Sequence, residues 1–140
     1  MDLGECYRKG FIKKTMTDLN LIRSLIEMSN IKEMTVKEAA INETNIFVYI
    51  SVAYDSLREI LEAVCIINGY KVTSHQCVGE LLKSLNKDFN LIEFDRFRYI
   101  RNGINYYGAK IDYAQGKEII KKIFAFKKEV FKTSLNEFKR

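Results

Sequence analysis

"NIFVYISVAYDSLREILEAVCII", residues 45–67, carries two conflicting secondary-structure signals. Its first ten residues are rich in β-branched and aromatic side chains, a composition that favours a strand. The spacing of the apolar positions says otherwise. Ile46, Ile50, Ala53, Leu57, Ile60, Val64 and Ile67 follow one another in steps of four and three, the seam of a packed helix. Ser51, Asp55, Arg58, Glu59 and Glu62 fall away from that seam, so one long helix is predicted. Thr44 or Asn45 suits its N-cap, and Gly69 its C-terminal stop.

The same period recurs on either side of this stretch. Ile12, Leu19, Ile22 and Ile26 predict a first helix over roughly residues 3–29, with Asn30–Ala40 as a connector holding at most a helical turn. Ser74 can cap a short helix over 75–87, with Val78, Leu81, Leu82 and Leu85 inward. Phe97, Ile100, Ile104 and Tyr107 mark a helix from about Leu91, and Ile119, Ile123, Phe126 and Val130 a last one over about 113–138. Proline is absent, so no ring interrupts any of these helices. The expectation is an all-α protein: an antiparallel bundle of four to five helices forming one domain over residues 1–140.

Composition limits the function classes. Hydrophobic residues make up 47% of the 140 and charged residues 29%, ordinary for a soluble globular chain. No apolar run approaches the roughly 18 residues of a spanning helix, so no membrane partner is expected. The opening MDLGECYRKGFIKK places charges where a signal peptide needs its apolar stretch. Cys6, Cys65 and Cys77 are odd in number and lack CxxC spacing, which reads as reduced thiols in a cytoplasmic protein.

The charge is uneven. Residues 94–140 hold 12 Lys/Arg against 5 Asp/Glu, a net +7, whereas residues 1–93 hold 11 against 13, a net −2. A basic third of this kind is either a solvated surface or a polyanion-binding one, RNA being the obvious polyanion. Within it lies "FRYIRNGINYYG", residues 97–108, where arginines, asparagines and tyrosines surround an Asn-Gly pair. Arg101 with Asn105, and Asn102 with Tyr106, stand one helical turn apart and can act together. Arg101 and Tyr106 stand on different faces, so a site using both is more natural across two protomers. Gly103 would let a second backbone come close. The competing interpretation is that Asn102-Gly103 ends the helix and the tyrosines fill the core.

The run "VAYDSLREILEAVCIINGYKVTSHQCVGELL", residues 52–82, resembles the core of HEPN domains, in which an Ala-Tyr-bearing helix leads through a Gly to a His that opens the next helix. "FRYIRNGINYYG" falls where that superfamily carries an Arg, often followed by a polar residue, four to six positions before a His. Arg101 and Asn102 match the first two. Tyr106 stands where His is common, similar to a branch whose motif ends in Asp-Tyr, with Asn105 for the Asp. The resemblance implies a HEPN-like helical bundle that homodimerises and binds RNA or a nucleotide. It also implies membership of a toxin–antitoxin pair with a nucleotidyltransferase partner, which would act on a tyrosine of the motif. The alternative it carries is an active metal-independent endoribonuclease with its site in a dimer cleft. Arg101, Asn102 and Tyr106 are then the catalytic candidates, and Arg98, Arg101, Asn105 and Tyr107 the nucleic-acid or nucleotide contacts. Tyr titrates near 10, so Tyr106 is a poor base at neutral pH, and weak catalysis or none is expected.

No phosphate-loop, dinucleotide, zinc-protease or nucleophile-elbow motif occurs, and neither cofactor nor metal is expected. His75, the one histidine, lies outside the motif and suits a cap or a buried hydrogen bond. Glu59 and Glu62 read as a solvated face, and Tyr49 and Tyr54 as core or dimer seam. Lys117, Lys121, Lys128 and Lys132 form a stripe on the last helix that ordinary solubility explains.

Overall fold

The computed structural model describes residues 1–107 and 111–139, with residues 105–107 described by their backbone only. The chain is an all-α helical bundle with one small two-stranded sheet. Its elements are α1 (Leu3–Arg8), β1 (Ile12–Lys14), α2 (Leu19–Glu38), α3 (Ile46–Ile67), β2 (Tyr70–Val72), α4 (His75–Leu85), α5 (Leu91–Tyr107) and α6 (Tyr113–Ser134), then a 3-10 turn at Asn136–Phe138.

The helix predicted from the seam of residues 46–67 is the central one, α3. α3 is apolar on nearly all sides because α2, α4, α5 and α6 all pack against it. Ile46, Ile50, Leu57, Ile60 and Leu61 are essentially fully buried. Each such side chain contributes about 1.5–3 kcal/mol relative to exposure. Gly69, at φ +87°, turns the chain out of the helix, and its N–H donates to Ile66 O at 2.9 Å.

The predicted first helix is two helices and a strand. Asp2 caps α1 by accepting from Glu5 N at 2.8 Å, Gly10 (φ +74°) breaks the chain direction, and Ile12–Lys14 pairs antiparallel with Tyr70–Val72. A new helix then starts at Asp18, whose carboxylate accepts from Leu21 N at 3.1 Å. It runs to Glu38, so most of the predicted connector is helical. Ile31 and Met34 mislead there because they face outward, 50% and 59% exposed. Leu85, predicted to face inward, is 44% exposed at the end of α4.

Two further expectations fail. Cys6 and Cys77 are joined in a disulfide, and only Cys65 is a free thiol, buried within α3. Such bonds are rare in a reducing cytosol, so the cytoplasmic location inferred from three reduced thiols loses that support. Glu59 is buried rather than solvated, with Lys32 Nζ 2.8 Å from its carboxylate.

Where α2, α3 and α6 meet, the core is polar. Ser29 Oγ donates to Ser56 O at 2.6 Å, and Ser56 Oγ to Ser29 O at 2.8 Å. Lys127 reaches in from α6 and donates to Ser56 Oγ, Asn30 Oδ1 and Glu33 Oε1 at 3.1, 3.1 and 2.6 Å. Burial pulls the Lys127 ammonium below the usual lysine range, and Glu33 opposes that pull. Among the described residues, no helix is long and apolar enough to cross a membrane.

Candidate functional site

Three helices build the site. On α5, Asp95, Arg98 and Arg101 are spaced three apart and share a face. Tyr54, Asp55 and Arg58 come from the middle of α3, and His75 is the first residue of α4. The first turn of α4 is pinned from the chain start by the Cys6–Cys77 bond, and Gln76 Nε2 donates to Met1 O at 3.4 Å. His75 therefore projects from a tethered helix end.

The side chains converge on Tyr54. Its ring is fully buried, stacked 6.2 Å from Phe94, and the Arg101 guanidinium lies 5.7 Å from its centroid. Its hydroxyl is 3.4 Å from His75 Nδ1, a long contact in which the tautomer sets donor and acceptor. Asp55 Oδ1 is 3.3 Å from Arg101 Nη2 and 3.9 Å from Arg58 Nε. Arg58 Nη1 also pairs with Glu62, and Arg98 Nη2 lies 3.5 Å from Asp95. These carboxylate contacts are single-pronged. Arg58 Nε and Arg98 Nε are buried with no hydrogen-bond acceptor among the described residues, which is costly for charged donors.

The electrostatics fix protonation. Burial, then the guanidiniums of Arg58 and Arg101, push His75 down to about 4; Asp55 opposes them and Arg98 adds to them. At pH 7 the imidazole is neutral and keeps one lone pair for a proton. Burial pushes the Tyr54 hydroxyl well above the ordinary phenol range, against the pull of Arg98, Arg101 and Arg58. Tyr54 is thus a donor or a ring surface at neutral pH, and no base.

Of the residues singled out in the sequence, Arg98 and Arg101 come together here, each partly buried. Asn102 follows on α5, half-buried. The side chains of Asn105, Tyr106 and Tyr107 lie outside the described residues. Tyr54, Asp55 and Arg58 were not expected at the site, and His75, expected to stand apart from the motif, joins it. The available signal was the one-turn spacing of Tyr54 and Arg58, but in the sequence Tyr54 reads as core or dimer seam, and Asp55 and Arg58 as a polar flank of α3. No three His, Cys, Asp or Glu side chains among the described residues gather as a metal-ligand set. No protein-family model, curated protein or solved structure matches the chain.

Proposed function

We propose that the chain is a HEPN-like RNA- or nucleotide-binding protein that holds a phosphate group at Arg58, Arg98 and Arg101. The supporting observation is the convergence of the Arg58, Arg98 and Arg101 guanidiniums, each partly exposed, around Tyr54 and a neutral His75. A phosphate presents several acceptor oxygens to such donors and forms charge-assisted bonds stronger than neutral ones. Asp55 suits the role of a holder, keeping Arg101 and Arg58 oriented when no anion is bound. The net +7 of residues 94–140 would raise the rate at which a polyanion meets the chain, without selecting the arginine face. A homodimer and a nucleotidyltransferase partner belong to the same proposal.

A second reading, metal-independent cleavage of RNA, is favoured by one observation. His75 is a neutral base candidate set among guanidiniums that could stabilise a pentacoordinate phosphate. Its depressed basicity makes it weak in that role, so slow cleavage or none is expected.

The experiment is titration of a labelled single-stranded RNA into the purified chain at rising salt, with Arg58→Ala and Arg101→Ala beside the parent. Binding that weakens steeply with salt and falls in both variants supports the proposal. Binding indifferent to both arginines overturns it.

A further inference from the structure

Lys121, Lys128 and Lys132 of the α6 stripe line a groove on another face of the bundle, between α2 and α6. Two hollows of about 600 and 760 Å³ meet there at Asn30, Phe131 and Lys139. Phe124, Ala125 and Phe131 form the α6 side, and the exposed Ile31 and Met34 stand on α2. Phe124 and Phe131 are seven residues apart, two turns or about 10.5 Å along the helix. An amphipathic helix laid in a groove presents its own apolar residues at that repeat.

The charge of the groove is one-sided at one end. Lys37, Lys121, Lys128, Lys132 and Lys139 surround the first hollow. Its single carboxylate, Glu33, is already held by Lys127 and Lys37. Lys37 also leans over the Phe124 ring, 5.6 Å from its centroid, so apolar floor and basic rim are one surface. The second hollow is balanced, with Arg23 and Lys139 against Glu27 and Glu137.

We infer that the α2–α6 groove receives an acidic amphipathic helix of a partner protein, its apolar face on Phe124, Phe131, Ile31 and Met34 and its carboxylates on the lysine rim. The inference stands apart from the arginine site. RNA fits less well: it carries a phosphate at every step, so some must lie over Glu27 and Glu137. An amphipathic helix can instead confine its carboxylates to the lysine rim and set apolar residues over Ile31 and Met34. A second copy fits less well too, since it brings a net +5 to a basic rim.

The test uses the full chain and a fluorescein-labelled designed peptide of ~18 residues, with Leu at helical spacing and Glu elsewhere. The same peptide with Gln for Glu and an oligouridylate of ~20 nucleotides serve as comparisons. The expected result is saturable binding of the acidic peptide, weakened about tenfold or more by Ala125→Glu with Lys128→Glu and by Gln for Glu. Arg101→Ala should leave it unchanged. Circular dichroism and melting temperature check the fold, and Lys132→Glu, exposed on α6, is the second variant. Absence of peptide binding overturns the inference, as does equal binding by the groove variants. A groove variant that abolishes oligouridylate binding but spares the peptide assigns the groove to RNA. One that splits a dimer in analytical ultracentrifugation assigns it to a second copy.

Discussion

Arg101 on α5 reaches Asp55 on α3 across the face of Tyr54, with Nη2 3.3 Å from Oδ1. The contact is single-pronged and partly exposed, so it contributes less than ~1 kcal/mol to folding. Its larger effect is to aim a guanidinium.

Arg101→Ala should therefore weaken RNA binding by about 1.5–3 kcal/mol, the range for a hydrogen bond to a charged group. The urea midpoint should move little. Arg101→Lys should recover only part of the affinity, because the planar fork is lost. Parallel RNA titrations and urea melts separate the two effects.

His75 should titrate near 4 in the folded chain by proton NMR, against an ordinary 6.5. Between those values the unfolded chain binds a proton that the folded chain refuses, so stability falls as pH drops through that window. Above pH 6.5 the effect vanishes. Arg101→Ala should raise the NMR midpoint and Asp55→Asn should lower it. Urea melts across the same pH range should show a shallower decline in His75→Asn.

Lys127→Met keeps the aliphatic stem but leaves Glu33, Asn30 and the two serines without their shared donor. Removing one side of a buried charged network costs about 3 kcal/mol. The neighbouring Lys128→Met, on the exposed face, should stay within ~0.5 kcal/mol. Chemical denaturation of the two variants should differ accordingly.

Alanine normally replaces a helical glycine with a gain of about 1 kcal/mol. Gly116 should reverse that sign. A Cβ there strikes Ile46 Cγ1, with Ile50 Cδ1 3.3 Å away, where α6 crosses the start of α3. Gly116→Ala should cost about 1–3 kcal/mol as overpacking, measurable as a lower thermal midpoint.

How far the sequence discloses this molecule depends on how local each feature is. α3 was legible because its seam runs unbroken past the strand-favouring composition of its first ten residues. The N-terminal region was not: Ile12 falls in step with Leu19 and Ile22, yet its neighbour is Val72, and only that distant strand makes it extended. Asp18 was a readable helix start, overridden by a period that ran through it. Lys127 carries no sequence mark among its lysine neighbours, since its acceptors come from α2 and α3. Arg98 and Arg101 were legible from the motif. Their company was not, because Arg58, Asp55 and His75 meet them only where α3, α4 and α5 cross.

The tether at the chain start has a consequence for synthesis. Met1, Cys6 and Ile12 find their partners at Gln76, Cys77 and Val72, and the two cysteines are 71 residues apart. At about 5–20 residues per second, the emerging chain holds Cys6 unpartnered for roughly 4–14 s. Cys65 leaves the ribosome 12 residues ahead of Cys77, so the first thiol that Cys6 can meet is the wrong one. Once α3 has coiled, Cys65 is withdrawn into the core and leaves Cys77 as the accessible partner. A pair formed earlier with Cys65 would need thiol–disulfide exchange to resolve it. The burial that pushes the Cys65 thiol up to about 12 also keeps it from attacking the finished bond.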